Sequence, residues 1–298
     1  MSPAPDGTVT WRELLAEAVD RLAAAPAVAA SAEVDARWIV ADCLGVASAE
    51  LSSALGASAT ERGVARFDDM VRRRCQGEPL QYVIGSWGFR TLDLMVDERV
   101  LIPRPETEAV VEVALGELDR LGARDRATTV VDLGTGSGAI ALSIAVERVR
   151  AEVWATDVSS DALAVARANT AGIGRSGARV RLLEGEWFAA LPSKLVGSVD
   201  MIVSNPPYVA SSATLPAEVE RWEPGAALWS GPDGTDDLRS ITAGAPRWLR
   251  PEGVLVCELS PEQAEPMRQL ALDGFSEASV RPDLTGRPRA LVARLPRR

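Results

Sequence analysis

From Pro105 onward the chain alternates short apolar strands with amphipathic helices, and this alternation limits the possible folds more than any other feature. The segments AIALSIAVERV and SDALAVARANTA have helical periodicity, and apolar runs precede, separate and follow them. The predicted strands are TTVVDLG, AEVWATD, ARVRLLEG, SVDMIVSN, GVLVCEL and RALVARL. This order predicts an α/β fold with a parallel, doubly wound sheet and a ligand site at the carboxyl ends of its strands.

The first part of the chain has a different pattern. Residues 1–77 contain three segments in which apolar residues recur at helical spacing. Thr10 is expected to cap the first helix. Ser31 is expected to cap the second, whose apolar face would consist of Val34, Trp38, Ala41 and Leu44. The third, TERGVARFDDMVRRRCQG, should end near Gly77.

The next segment, PLQYVIGSWGFRTLDLMVDERVLIP, shows alternation of apolar and polar residues and contains two glycines. This pattern predicts a β-hairpin linker. We therefore predict two domains: a helical domain at residues 1–77, and a second domain at residues 78–298 that contains the linker and the sheet.

The composition excludes several classes of enzyme, because the 298 residues include no histidine. Catalysis by Ser-His-Asp or Cys-His groups and metal binding by histidine are therefore excluded. The cysteines Cys43, Cys75 and Cys257 are scattered and odd in number, as expected for reduced thiols without a zinc site. No apolar run reaches the ~18–20 residues of a membrane span, and the first residues lack the pattern of a signal peptide. We expect a cytoplasmic protein that binds no metal and no membrane.

The charge balance weighs against a nucleic-acid substrate. The net charge is −10 and the pI is about 4.8, whereas proteins that bind nucleic acid usually carry a basic surface. We expect no direct nucleic-acid binding, although a local basic patch within the acidic total stays open.

A glycine-rich turn lies between the first strand and the next helix of the sheet domain, in VVDLGTGSGAIALSIA. Glycine permits a tight turn and lets a ligand approach the backbone, so this turn is a candidate nucleotide site. Its residues are Gly134, Thr135, Gly136, Ser137 and Gly138. An ordinary βα turn is the alternative, and the spacing also fits a dinucleotide fingerprint, which keeps a nicotinamide enzyme open.

Asp157 closes the second strand of the domain, 23 residues after Gly134. A carboxylate at this place can accept hydrogen bonds from both ribose hydroxyls of a nucleoside. The alternative is that Asp157, or its neighbour Ser159, caps the helix that follows. Together with the glycine turn, Asp157 favours a nucleoside site, but the two motifs do not distinguish NAD from S-adenosylmethionine.

The apolar run MIVSNPPYVA ends in Asn205, Pro206, Pro207 and Tyr208, and two consecutive prolines cannot continue a central strand. The loop would face a cofactor held by the glycine turn. The Asn205 side-chain oxygen and the Pro206 carbonyl could accept the two N–H bonds of an amide or amino nitrogen and turn its lone pair toward a methyl donor. Pro207 would aim these groups in advance, and Tyr208 offers a ring to stack on a planar group. A simple Asn-Pro turn is the alternative.

Together, these motifs resemble the HemK-like methyltransferases, which methylate a glutamine of peptide chain release factors. The similarity covers most of the chain and includes PLQYVIGSWGF, VLIPRPETE, VVDLGTGSGAIALSIA, SNPPYV, DGTDDLRSI and DLTGRPR. NPPY alone is shared with DNA and RNA amino-methyltransferases, so an adenine or cytosine amino-methyltransferase is the first alternative. A non-catalytic nucleotide-binding module or a nicotinamide dehydrogenase is the second, and neither explains NPPY.

The resemblance implies a Rossmann-like, seven-stranded class I domain that uses S-adenosylmethionine and methylates the glutamine of a Gly-Gly-Gln loop. It implies that cofactor contacts come from residues 134–138, Asp157, Trp187 and Asn205. It implies that the glutamine binds to Asn205, Pro206, Pro207 and Tyr208, with Asn205, Pro206 and Tyr208 as the catalytic group. Arg104 would lie near the cofactor pocket, and the helical domain of a monomeric enzyme would help to recognise the release factor.

Three residues depart from the family pattern. Glu186 stands where aspartate is expected, and Ser230 and Ser260 stand where glycine is expected. All three lie outside NPPY and the glycine turn, so they bear on the packing around the adenine and not on the class of reaction.

Overall fold

The computed structural model describes residues 9–297 and separates the chain into two compact units, Met1–Gly85 and Ser86–Arg298. The first unit therefore ends at Gly85, a few residues beyond the boundary predicted from the sequence. Within residues 9–297, no helix combines the length and the apolar character needed to cross a membrane.

The first unit consists of helices, as predicted. Thr10 caps the first helix in a capping box, in which its hydroxyl accepts from the Glu13 amide and the Glu13 carboxylate accepts from the Thr10 amide. The helices are α1 Trp11–Ala23, α2 Ala32–Leu44, α3 Leu51–Ala54, α4 Glu61–Cys75 and α5 Leu80–Ile84.

The apolar face predicted for α2 is wrong in part. Val34 is 57% exposed and Trp38 is 41% exposed, whereas Ile39 and Val40 are buried. The helix is rotated relative to this prediction, because Asp35 is also buried. Its carboxylate accepts a hydrogen bond from the Arg74 guanidinium at 2.7 Å. Ala41 is buried as predicted. The Ser31 hydroxyl does not cap the helix, since it donates to Asp35 and to the Val28 carbonyl.

The predicted hairpin linker is shorter than expected. Residues Leu80–Ile84 form α5, which follows Pro79 and ends at Gly85 in the left-handed conformation with φ +86°. The hairpin itself comprises β1 Ser86–Phe89 and β2 Leu92–Met95, which pair antiparallel.

The second unit contains a seven-stranded sheet. Its strands are β3 Thr128–Leu133, β4 Ala151–Asp157, β5 Val180–Glu184, β6 Val199–Ser204, β7 Leu249–Glu258, β8 Glu277–Pro282 and β9 Pro288–Arg294. They lie in the order β5-β4-β3-β6-β7-β9-β8. The first five strands in this order are parallel, and β9 and β8 are antiparallel to their neighbours. The predicted fold class is confirmed, although β8 was not predicted as a strand.

Helices pack on both faces of this sheet and complete the doubly wound fold. The helices of this unit are α6 Pro105–Arg120, α7 Ala139–Glu147, α8 Ser160–Gly172, α9 Ala217–Trp222, α10 Asp236–Trp248 and α11 Ala264–Ala271. One buried cluster contains residues of the hairpin, α6 and α7, and another contains residues of α10 and α11. The chain winds outward from β3 through β4 and β5, then crosses to β6 on the other side of β3. Ligands bind at such a reversal, at the carboxyl ends of the strands.

Candidate active site

The glycine turn and the NPPY loop lie side by side at this reversal. Leu133 at the end of β3 pairs with Ser204 at the end of β6, so Gly134 and Asn205 leave the sheet at the same level. A cavity of about 290 Å³ opens there. The predicted residues that line it are Gly134, Thr135, Gly136, Ser137, Asp157, Trp187, Asn205 and Pro207. Gly138, Pro206 and Tyr208 do not line it.

The glycine turn requires glycine for its backbone shape. Gly134, Gly136 and Gly138 all have positive φ, at +70°, +55° and +88°. A Cβ atom on Gly134 would also lie 3.1 Å from the ring of Trp187, so Trp187 packs directly against the turn. The turn therefore presents bare backbone to the cavity, as a nucleoside site requires.

Asp157 is fixed at the cavity by two backbone groups. Its Oδ2 accepts from the Gly136 amide at 2.8 Å, and its Oδ1 accepts from the Ser159 amide at 2.9 Å. Burial raises the pKa of Asp157, while these hydrogen bonds oppose the rise. Ser159, whose hydroxyl accepts from the Ala162 amide, is the residue that caps α8. The side chain of Asp157 is therefore not needed as the cap of this helix.

The side chain of Asp132 links the glycine turn to α7 through hydrogen bonds. Its Oδ2 accepts from the Thr135 hydroxyl at 2.7 Å and from the Ala141 amide at 3.2 Å. The side chain is fully buried, and its Oδ1 has no partner within residues 9–297. Burial raises the pKa of Asp132 to about 7. Sequence reasoning did not select this residue, although a carboxylate inside an apolar strand was a visible signal.

The side chain of Asn205 is oriented by Thr107. The Asn205 Nδ2 donates to the Thr107 hydroxyl oxygen at 3.2 Å. Thr107 is the third residue of α6 and belongs to the segment IPRPETE. With Nδ2 engaged, the amide oxygen of Asn205 is available as a hydrogen-bond acceptor.

Tyr208 lies deeper than the loop that it ends. Its hydroxyl donates to the Glu258 Oε1 at 3.3 Å, and its carbonyl accepts from the Gln263 side chain at 3.0 Å. Burial, followed by the charge of Glu258, raises the pKa of the phenol. Glu258 was not predicted as a site residue, although it is a charged residue that closes the apolar strand β7.

Arg104 forms an ion pair with Glu223, a buried carboxylate that also accepts from the Ile102 amide at 3.2 Å. Arg104 does not line the cavity, whereas its neighbour Pro103 does. Its placement near the cofactor pocket remains a prediction, and in the structure its guanidinium anchors the segment that precedes α6.

Of the three departures from the family pattern, two lie at helix starts. The Ser230 hydroxyl accepts from the Asp237 amide in the first turn of α10, at 2.9 Å. Ser260 forms a capping box with Gln263 ahead of α11. Glu186 lines the cavity beside Trp187. Residues 9–297 contain no cluster of cysteine, aspartate or glutamate side chains arranged to hold a metal ion.

Two family models match the chain. The model described as PrmC N-terminal domain matches residues 13–85, and the model described as Methyltransferase small domain matches residues 116–223. The first match falls within the first compact unit, and the second covers the glycine turn, Asp157 and NPPY.

Curated relatives cover nearly the whole chain. A release factor glutamine methyltransferase of Xylella fastidiosa is 47% identical over 81% of this chain and 84% of its own length. Proteins of the same name from Cereibacter sphaeroides and Moorella thermoacetica are 40% and 39% identical, over 95% and 96% of this chain and 98% of each relative.

Solved structures share the fold at low sequence identity. The T. thermophilus 16S rRNA methyltransferase in complex with AdoMet and guanosine has a TM-score of 0.50 and 20% identity, and the match covers 70% of this chain and 49% of that one. The hMettl16 catalytic domain has a TM-score of 0.53 and 13% identity, over 80% and 84%. These likenesses establish the seven-stranded methyltransferase fold.

Proposed function

We propose, because this chain belongs to the release factor glutamine methyltransferase family, that it transfers a methyl group from S-adenosylmethionine to the N5 amide nitrogen of a release-factor glutamine. The observation that carries the proposal is the meeting of Asp157, the glycine turn and Asn205 around one cavity. A nucleoside site thus lies beside an acceptor suited to an amide nitrogen. The glutamine that we propose is that of a Gly-Gly-Gln loop.

The cavity residues fit the cofactor. Each oxygen of Asp157 uses one backbone N–H, which leaves further lone pairs to accept from ribose hydroxyls. Trp187 packs against Gly134 and offers an aromatic surface for the adenine. S-adenosylmethionine, when bound, supplies an electrophilic methyl group on a positively charged sulfur.

The chain's own residues contribute to the reaction by positioning the substrate amide. The Asn205 oxygen and the Pro206 carbonyl would accept the two N–H groups of the glutamine amide and hold its lone pair toward the methyl group. These acceptors interact more strongly as the nitrogen becomes electron-poor, so they favour the transition state. The nitrogen releases one proton to water as it takes the methyl group.

The substrate is a protein and not a nucleic acid in this proposal. The acidic net charge and the match of residues 13–85 to the PrmC N-terminal domain support it. We further propose that the helical unit holds the release factor, that the enzyme acts as a monomer, and that it acts in the cytoplasm, where release factors end translation.

Mass spectrometry of a release factor incubated with the enzyme and S-adenosylmethionine tests the proposal. We expect one added methyl group on the glutamine of the Gly-Gly-Gln loop, and none when that glutamine is replaced by alanine. An oligonucleotide that accepts methyl groups as fast as the release factor would refute the proposal and would favour the nucleic-acid amino-methyltransferase.

A further inference from the structure

The turn between β8 and β9, residues 283–287, carries a leucine that is fully in solvent. Leu284 is 102% exposed and is the most exposed large apolar side chain of residues 9–297. It belongs to the segment DLTGRPR, which has no part in the function argued above. A single exposed apolar side chain is common on a protein surface, so the structure and the place of this turn decide what Leu284 does.

The turn is held in one conformation by the carboxylate of Asp283. Its Oδ1 accepts from the Thr285 amide at 2.8 Å, from the Thr285 hydroxyl at 2.6 Å and from the Arg287 amide at 3.1 Å. The Gly286 amide donates to the Asp283 carbonyl at 3.0 Å. Leu284 is therefore fixed in space before any partner binds, which lowers the entropy cost of binding.

The β8–β9 turn lies on the edge of the sheet that carries the active site. Because β9 pairs antiparallel with β7, its first residues lie at the carboxyl end of β7, where Ala290 pairs with Glu258. The strand β6 runs parallel to β7 and ends at the same level. Residues 283–287 therefore project from the edge at which Asn205 leaves the sheet.

The distance from Asn205 to Leu284 is within the reach of a bound protein. Only β7 separates β6 from β9. Two strand spacings of ~4.8 Å and a rise of a few residues at ~3.3 Å each place Leu284 roughly 15 Å from Asn205. A protein that buries about 800 Å² on each partner covers a patch of about 16 Å radius. A folded substrate whose glutamine lies at Asn205 would thus reach the turn, whereas a short peptide would not.

The charges exposed beside Leu284 are positive, although the chain has a net charge of −10. Arg281 and Arg287 flank the turn and are exposed, and neither forms an ion pair within residues 9–297. The acidic residue between them, Asp283, is buried and lies 3.6 Å from the Arg289 guanidinium. This surroundings favours a partner surface with carboxylates. An apolar tip suits a depression in a protein better than a phosphate backbone.

We propose that the β8–β9 turn is a docking contact for the release factor, in which Leu284 enters an apolar depression and Arg281 and Arg287 face carboxylates around it. The contact belongs to the second unit, so it is separate from the one proposed for the helical unit. The inference rests on the proposed function, because it takes a folded protein as the substrate and Asn205 as the place where its glutamine binds.

Leu284→Ala is the first test, because a side chain without neighbours can be shortened without loss of packing. We expect kcat/KM on the intact release factor to fall roughly 10-fold through KM, the size of about two buried methylene groups. The kcat/KM on a short Gly-Gly-Gln peptide, the Kd for S-adenosylmethionine and the unfolding midpoint should not change. Leu284→Met should keep most of the wild-type value. Val149→Ala is the matched control, since Val149 is 70% exposed just before β4, at the opposite edge of the sheet.

Arg287→Glu is the second test and addresses the charge of the turn. We expect a loss of kcat/KM on the intact release factor that becomes smaller as salt is added, because salt screens exposed charges. Arg175→Glu makes the same change of charge at an exposed arginine without an ion pair in residues 9–297, just before β5 and at the opposite edge. It should leave the value near wild type.

Three outcomes would overturn the inference. The first is a loss in Leu284→Ala no larger than in Val149→Ala, and the second is an equal loss on the release factor and on the peptide. The third is weaker binding of a fluorescent single-stranded RNA in Arg287→Glu with unchanged transfer to the release factor, which would assign the turn to nucleic acid. Any of these with an active wild type refutes the docking contact alone. A wild type that transfers no methyl group to the release factor refutes the proposed function, and the inference with it.

Discussion

The stability of this protein should fall as the pH rises from about 4 to 7. Two buried carboxyl groups, Asp132 and Glu258, have their pKa raised to about 7 by burial, from ordinary values of 3.8 and 4.5. A carboxyl group whose pKa is raised by folding contributes stability below its unfolded pKa and loses it as the pH rises to the folded pKa. The loss therefore spans about pH 4 to 7.

The magnitude follows from the size of each rise. One pKa unit corresponds to about 1.4 kcal/mol, so ionisation in the folded state costs on the order of 3 kcal/mol at Glu258 and about 4 kcal/mol at Asp132. The pKa of Asp157 is also raised by burial, so this residue adds to the same trend. The chain has no histidine, so histidine does not obscure this window. Carboxylates whose pKa is lowered by folding, such as Asp200 and Glu117, change the stability only below about pH 4.

Urea unfolding of the protein without cofactor, at several pH values between 5 and 7.5, measures the effect. We expect the free energy of unfolding of the wild type to decrease by several kcal/mol, a large part of the ~5–15 kcal/mol that is usual for a domain. Asp132→Asn should remove roughly half of the decrease, whereas Glu117→Gln should keep all of it. A stability that is flat or increases over this range would refute the reasoning, as would an unchanged slope in Asp132→Asn.

Four further predictions concern the cofactor and the substrate. Asp157→Ala should weaken S-adenosylmethionine binding by roughly 10- to 100-fold in calorimetry, while Asp161→Ala, on the exposed start of α8, should not; equal affinities would exclude the ribose contact. Asn205→Ala should slow single-turnover transfer by ~10²-fold or more and change cofactor affinity less, so a rate near wild type would contradict its role as acceptor. Gly134→Ala should lower the free energy of unfolding in urea by roughly 1–2 kcal/mol, because Gly134 has a φ of +70°, and it should also weaken cofactor binding. An unchanged unfolding midpoint would show that the turn tolerates a side chain. A variant that begins at Ser86 should retain cofactor binding but lose more kcat/KM on an intact release factor than on a short Gly-Gly-Gln peptide, and equal losses would leave the helical unit without a role in recognition.

The sequence predicted the central strands well because strong breakers end them. Gly134 follows β3 directly and Pro206 closely follows β6, so these two largely apolar segments of six residues were predicted as strands with defined ends. Since neighbouring parallel strands end at one edge, the meeting of Gly134 and Asn205 followed from the topology. The resemblance to a family added Trp187, which the residue pattern alone would have assigned to the core.

Other features depended on contacts between distant segments. The predicted orientation of α2 was wrong because a long-range ion pair between Asp35 and Arg74 places a charged residue on the buried face, where periodicity predicts an apolar one. The strand β8 was missed because its alternation offers only two apolar positions, Ala278 and Val280, and none of its residues is buried. Thr107 lies 98 positions from Asn205 in the sequence, so only the fold brings the pair together.

Two of the carboxyl groups whose pKa is raised by burial, Asp132 and Glu258, also indicate the role of this edge of the sheet. Asp132 on β3 and Glu258 on β7 flank β6, the strand that ends in Asn205. Apolar residues at both positions would avoid the desolvation cost and suit the surrounding strands better. One carboxylate instead holds the glycine turn through Thr135, and the other holds NPPY through Tyr208. At this edge of the sheet the conflict between stability and polar contacts thus falls at the two loops that meet at the cavity, as expected when a fold gives up stability to position a reaction.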